Sequence, residues 1–326
     1  MKAYVYFDSG TTNTRGYLVC DDVVKDSIKE NVGTINNVLE NSNKVLEEAL
    51  YKMYLNLLKK NGMSDEQVNA VYMSGMATSC NGIFETDYMN VPVSLKRYAQ
   101  DVTYEQNQTF QRKIGFLTGL AVRPTQEGTL KNISEFNNVR GEEIELFGII
   151  HSYPELYQNR IVATIMPGSH THILFSQNDK IIDILSCIGG EYFSAIAEHT
   201  IIKASVSNNP SLMNTEALKC GYEALKKYGT NRAIYMVREL ELFSDVSTNV
   251  KDFFLEGIIN GDIITALLQH SLYRKLDCIC IAGKPIYYDI FRELLIMEDN
   301  KIRVEKIEPG DKSFALSGFL TIAKEF

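Results

Sequence analysis

The chain has 326 residues, 45% of them hydrophobic, and a formal net charge of -8. That acidity, with no basic cluster, argues against nucleic acid or an anionic membrane as a partner, and the length allows a large core divided over two domains. No apolar run approaches membrane-spanning length and no signal-peptide core follows Met1, so a cytoplasmic protein is expected. The cysteines (20, 80, 187, 220, 278 and 280) lack CxxC spacing and read as buried thiols rather than disulfides or zinc ligands.

Residues 4–7 form an apolar, aromatic-rich strand, and residues 14–20 a returning one, with Ser9-Gly10-Thr11-Thr12-Asn13 as the turn between them. Gly10 admits a ligand closely, Thr11, Thr12 and Asn13 add hydroxyl, amide and backbone donors, and Asp8 at the strand end can hold a cation. Such a tip suits a phosphate chain carrying Mg²⁺; an ordinary polar hairpin is the competing reading, because short motifs match by chance. An Asn-rich connection leads to an amphipathic helix at 42–60. A strand at 68–73 ends in Ser74-Gly75-Met76-Ala77-Thr78-Ser79. Residues 114–122 read as one strand interrupted by Gly119, and 126–138 as a polar surface excursion. Arg140-Gly141-Glu142-Glu143 then opens a helix that closes before Pro154.

At Arg160 the opening pattern returns. Residues 161–165 are a strand, Met166-Pro167-Gly168-Ser169-His170 a turn, and 171–175 a returning strand. A motif repeated half a chain apart implies two similar halves about a cleft, so the expected domains are 1–157 and 158–326. Helices are expected from Gly190 to near His199, at 214–228, from Arg232 and at 252–273, the last despite Gly257 and Gly261. A buried strand at 278–281 runs into Ala282-Gly283-Lys284, followed by a helix, a strand at 303–307 and a closing helix at 313–323.

Three glycine turns, at Gly10, Gly168 and Gly283, follow apolar strands, and in doubly wound sheets such ends gather at one ligand crevice. Two would cradle phosphates and the third would meet a base, although Gly283-Lys284 reads equally well as a plain strand-to-helix turn. The Glu142-Glu143 pair is the best place for acid-base work, and equally an ordinary charged helix start. His170 could donate to a phosphate or sugar oxygen; His172 and His199 read as structural. Arg15, Arg140 and Arg238 could grip a carboxylate bidentately, or be surface ion pairs. HExxH, GxSxG, Walker and strand-borne GxGxxG motifs are absent, so the zinc-hydrolase, serine-hydrolase, P-loop and dinucleotide readings lose ground.

These blocks, in this order, resemble the 2-dehydro-3-deoxygalactonokinase family of the actin, hexokinase and sugar kinase superfamily. Asp8-Ser9-Gly10-Thr11-Thr12-Asn13-Thr14-Arg15 is similar to its D-W-G-[ST]-T-N-x-R, and Gly75-Met76 to its A-G-M block. Arg140-Gly141-Glu142-Glu143-Ile144-Glu145-Leu146 is similar to R-G-E-E-T-Q-L, and Met166 to His170 to M-P-G-T-H; Gly190-Glu191 and Gly283 continue the series. The resemblance implies an α/β, two-domain, actin-like (ribonuclease H-like) ATPase fold with its active site in the interdomain cleft, and ATP- and Mg²⁺-dependent phosphorylation of a small sugar acid. By position it implies that Asp8, Gly10, Thr11, Thr12 and Asn13 hold phosphate and Mg²⁺, that Gly168, Ser169 and His170 form the second phosphate loop, and that Gly283, with Ala282 and Lys284 beside it, borders the adenosine; Arg15, Arg140 and Arg238, with Gly75 and Met76, are the expected substrate contacts. Glu142 is the expected base and Glu143 its alternative, with a homodimer left open. The chain departs from the family in having no Trp, with Ser9, Tyr17, Ile83 and Ile173 at the usual positions, and in carrying His172 where a Lys is usual. Another acceptor, or a catalytically weak sugar-binding regulator, are the alternatives.

Overall fold

A computed structural model describes residues 2–207 and 212–326. The chain separates into two units: Met1–Pro154 with Asp179–Ile182 and Pro309–Phe326, and Glu155–Asn178 with Asp183–Glu308. The first unit opens with β1 (Ala3–Ser9), β2 (Thr14–Cys20) and β3 (Val23–Glu30), then α1 (Thr34–Leu39), α2 (Lys44–Lys60) and β4 (Ala70–Gly75). It continues through β5 (Tyr88–Asn90), β6 (Val93–Ser94), α3 (Leu95–Ala99), β7 (Thr103–Asn107), β8 (Arg112–Phe116), β9 (Gly119–Val122), β10 (Asn137–Val139) and α4 (Glu142–Ser152). After α5 (Pro154–Tyr157) come β11 (Ile161–Pro167), β12 (His170–Gln177), β13 (Lys180–Ile188), α6 (Gly190–His199), α7 (Thr215–Tyr228), α8 (Thr230–Phe243) and α9 (Thr248–Gln269). The second unit ends with β14 (Cys278–Ala282), α10 (Pro285–Glu298) and β15 (Val304–Ile307), and α11 (Phe314–Ile322) belongs to the first.

The repeat read from the opening hairpin extends to five strands of each six-stranded sheet. One sheet runs β3-β2-β1-β4-β8-β7, the other β15-β14-β11-β12-β13, so β1 and β11 hold equivalent central places. Each pairs antiparallel with the strand after it and parallel with the strand that follows a helical crossover. That arrangement puts the turn after β1 beside the end of β4, and the turn after β11 beside the end of β14. The expected single strand at 114–122 is two: β8 joins the main sheet and β9 pairs with β5 and β10.

β1 is buried on both faces, which explains its unbroken apolar run. Val5 and Phe7 pack with Leu46, Leu50, Met53 and Leu57 of α2. On the other face Tyr6 stacks on Phe319 of α11, centroids 3.9 Å apart, and its hydroxyl bonds Ser74 Oγ at 2.7 Å. The closing helix therefore completes the core of the first unit, where sequence order alone had placed it with the second. It crosses α4 at paired glycines: a Cβ on Gly318 would lie 1.8 Å from Ile144 O, and one on Gly148 2.5 Å from Gly318 N. A similar close approach explains why α9 runs through Gly257, whose Cβ would meet Leu218 O of α7 at 2.0 Å. Gly318→Ala should cost about 1–3 kcal/mol or more through overpacking, read as a lower urea midpoint, and should reduce activity because Ile144 adjoins Glu142.

All six cysteines are free, but the expectation of buried thiols holds only in part: Cys20, Cys278 and Cys280 are buried, while Cys80 and Cys220 are exposed. Among the described residues no helix is long and apolar enough to cross a membrane.

Candidate functional site

In the first unit, strand pairing assembles the candidate residues from four separate stretches. Asp8 stands opposite Arg15 on β2 and beside Ser74 on β4, and Ser9 pairs with Gly75. Gly75 has φ +66°, and a Cβ there would sit 2.5 Å from Ser9 O and 3.8 Å from Asp8 Oδ1. Gly141 has φ +118°, and its missing Cβ would lie 3.6 Å from Gly75 Cα. Only glycine takes both the left-handed backbone and this spacing comfortably. The result is a continuous path Asp8, Gly75, Gly141, Glu142, with Met76 in the short turn after Gly75.

Burial decides the charge state of this cluster. Arg15 reaches Asp8 at 3.7 Å, but the arginine is half exposed and such a pair is worth little. Desolvation wins, and the Asp8 carboxyl is pushed up to about 6, with Glu142 adding to the rise. The side chain still keeps 20% of its exposure, enough to meet a ligand. Its hard oxygens suit Mg²⁺, which typically binds one or two carboxylates plus substrate phosphates rather than an all-protein cage. No group of three His, Cys, Asp or Glu side chains that could hold a metal ion occurs among the described residues.

The two adjacent glutamates have different surroundings. Glu143 is buried; its Oε2 accepts from Gly141 N at 2.7 Å, and its Oε1 lies 3.2 Å from the Tyr98 hydroxyl. That hydroxyl donates its hydrogen to Thr118 O at 2.6 Å. Burial, reinforced by Glu142, raises the Glu143 carboxyl to about 8 against the helix-start N-H groups that favour its anion. The Tyr98 hydroxyl thus stands between the Glu143 carboxyl and Thr118 O. Glu142 is only partly buried. The sequence reading missed Glu145, one turn further on, whose carboxyl is raised well above its usual range by burial, Glu142 and Asp8; the i, i+3 spacing from Glu142 was the available signal.

Because Glu143 keeps a proton between pH 4.5 and about 8 that the unfolded chain releases, its contribution makes stability fall as pH rises through that window. Glu143→Gln should remove this part of the pH dependence while keeping turnover within roughly tenfold of wild type, far short of the loss expected for a catalytic base. Melting temperatures from pH 5 to 8 test it.

Arg140 is already engaged. Its guanidinium donates to Thr78 O (2.6 Å), Thr78 Oγ1 (2.7 Å), Thr86 Oγ1 (2.7 Å) and Thr86 O (3.0 Å), and lies 4.2 Å over the Tyr88 ring. These bonds fix the Gly75-to-Thr78 turn against the start of α4.

In the second unit Gly168, Ser169 and His170 form the exposed turn after β11. His170 Nε2 meets Glu191 Oε2 at 2.8 Å. A Cβ on Gly283 would lie 3.2 Å from Pro167 Cδ, so the Ala282-Gly283-Lys284 turn adjoins the phosphate-type turn. His172 is buried, bonds Ser186 Oγ at 2.9 Å, and is pushed down to about 4 by burial and by His170. It is neutral near pH 7 and cannot stand in for a lysine. Arg238 stands on α8, near Glu241, whose ion-pair partner is Lys251.

The model of the 2-keto-3-deoxy-galactonokinase family matches residues 8–315. The chain belongs to this family. Membership in the 2-keto-3-deoxy-galactonokinase family makes it a kinase, a phosphotransferase. A Rhizobium meliloti (strain 1021) protein named "Probable 2-dehydro-3-deoxygalactonokinase DgoK1" is 24% identical over 238 residues, 72% of each chain. The crystal structure of a Sinorhizobium meliloti protein assigned as a 2-dehydro-3-deoxygalactonokinase matches with TM-score 0.75 and 20% identity, over 99% of this chain and 97% of that one. Component A of the Acidaminococcus fermentans (R)-2-hydroxyglutaryl-CoA dehydratase matches with TM-score 0.52 and 12% identity, over 100% and 99% of the chains. These structural likenesses carry the fold alone, an α/β fold shared over nearly the whole chain.

Proposed function

We propose that this member of the 2-keto-3-deoxy-galactonokinase family transfers the terminal phosphate of ATP to a hydroxyl of 2-dehydro-3-deoxygalactonate or a similar 2-keto-3-deoxy sugar acid. The observation that supports the proposal is the path from Asp8 through Gly75 and Gly141 to Glu142, which brings two carboxylates close enough for the charge of Glu142 to act on Asp8.

In this reading the turn from Gly10 to Asn13, with Gly168, Ser169 and His170, binds the phosphates of ATP, and Ala282, Gly283 and Lys284 border the adenosine. Asp8 holds Mg²⁺, which when bound supplies charge neutralisation on the phosphate oxygens. Glu142 accepts the proton of the acceptor hydroxyl as its oxygen bonds to the γ-phosphorus; the bond to the β-phosphate bridging oxygen breaks and ADP leaves. Arg15 and Arg238 are the cations available to the acceptor carboxylate, and Gly75 and Met76 border the acceptor. Glu143 and Arg140 position the start of α4. Phosphoryl transfer needs little covalent work from protein, so placement and charge carry most of the rate.

A panel of acceptors with coupled ADP detection tests the substrate class. ADP release should depend on a 2-keto-3-deoxy acid, with neutral hexoses at least tenfold slower, roughly the discrimination that one lost polar contact gives. Equal rates with neutral sugars would remove the acid from the proposal.

A further inference from the structure

The two phosphate-type turns are held from behind in the same way, one in each unit. After β1, Gly10 O accepts from Thr34 N at 3.4 Å and Thr11 O from Ile35 N at 2.9 Å. After β11, Gly168 O accepts from Gly190 N at 3.2 Å and Ser169 O from Glu191 N at 2.8 Å. In both cases two consecutive carbonyls of the turn are taken by two consecutive N-H groups at the start of the next helix, α1 or α6. We infer that Gly33-Thr34-Ile35 and Gly189-Gly190-Glu191 are a duplicated strap that aims the turns' N-H groups at phosphate. The inference deepens the kinase reading and rests on it.

Peptide geometry supplies the reason. In a planar trans peptide the carbonyl of one residue and the N-H of the next point in opposite directions. Holding Gly10 O and Thr11 O on the strap side therefore turns the N-H groups of Thr11 and Thr12 to the other side. Holding Gly168 O and Ser169 O does the same for Ser169 and His170. Carbonyl oxygens repel a phosphate and N-H groups attract it, so fixing both orientations presents only donors to the anion.

The close approach this requires is built from glycine. A Cβ on Gly33 would lie 2.4 Å from both Thr11 C and Thr11 O, and 2.5 Å from Gly10 O. A Cβ on Gly190 would lie 2.6 Å from Gly168 O. These are backbone atoms of the turns themselves, so an added methyl must move the turn. Asn36 secures the first strap, its Oδ1 accepting from Gly33 N at 3.0 Å.

The test compares wild type with Gly33→Ala, Gly190→Ala and the milder Asn36→Ala. Gly310→Ala, whose Cβ would have nothing within 4 Å, is the control. Calorimetric binding of inorganic tripolyphosphate with Mg²⁺, and of adenosine, separates phosphate placement from general damage. Gly33→Ala should weaken tripolyphosphate binding and kcat/KM for ATP by ~10- to 100-fold, the scale of a displacement near 1 Å, leaving adenosine affinity and the KM of the acceptor within twofold. Gly190→Ala and Asn36→Ala should follow in the same direction with smaller losses, and Gly310→Ala should match wild type. Unchanged tripolyphosphate affinity in Gly33→Ala, or equal losses for tripolyphosphate and adenosine, would overturn the strap. If a glycine variant does not fold, Asn36→Ala decides by the same ratio. ADP formation by wild type tests the kinase reading separately, since the tripolyphosphate ratio between variant and wild type requires no turnover.

Discussion

Glu142→Gln should lower kcat by ~10²–10⁴-fold, the usual contribution of a positioned base, while ATP affinity stays within about twofold, because the base acts on the acceptor and not on the nucleotide. Glu142 is placed for this by its neighbours. Gly141, at φ +118°, brings the start of α4 to within 3.6 Å of Gly75 Cα, counted from its missing Cβ, and Glu143, the next residue, is buried in bonds to Gly141 N and Tyr98. Of the two carboxylates, then, one braces the turn and the other remains partly exposed. Coupled ADP assay with calorimetry of ATP binding checks both halves. Full activity in the variant would take Glu142 out of the mechanism.

Asp8→Asn should lower turnover by a comparable ~10²–10³-fold, the scale of losing one focused electrostatic contact to the transition state, but with a different signature. ATP affinity should lose its Mg²⁺ dependence here, whereas Glu142→Gln keeps it. The same change should raise the thermal stability of the ligand-free protein at neutral pH. Asn has nearly the volume of Asp and removes a charge whose burial Arg15, at 3.7 Å and half exposed, does not offset. A variant that loses activity and gains melting temperature would mark Asp8 as a residue kept for function at a cost in stability. Lower stability with unchanged Mg²⁺ dependence would make it a structural group.

Much of this surface was legible in the sequence because it lies at strand ends, where an apolar run gives way to glycine and small polar residues. The hairpins of β1 and β2 and of β11 and β12 were both read that way. What escaped has physical causes. β3 carries Lys25, Asp26, Lys29 and Glu30 and is largely solvated at the sheet edge, so no apolar run announced it. Residues 114–122 read as one strand because the apolar run continues through Leu117, where the chain leaves one sheet for another. The bonds from Arg140 to Thr78 and Thr86 had no local signal, since a guanidinium fork fits threonine oxygens and carbonyls as well as a carboxylate, and these partners lie more than fifty positions away. Gly33 was passed over because an extended glycine before a short helix has no local signature. Its reason is the Thr11 backbone behind it.

The most direct test is mass spectrometry of the products formed from Mg-ATP and 2-dehydro-3-deoxygalactonate. The account predicts a singly phosphorylated acid formed in equal amount with ADP, and ~10²-fold or more less of both with Glu142→Gln at matched enzyme and time. ADP without phosphorylated acid, or no reaction with this or any related 2-keto-3-deoxy acid, would contradict it.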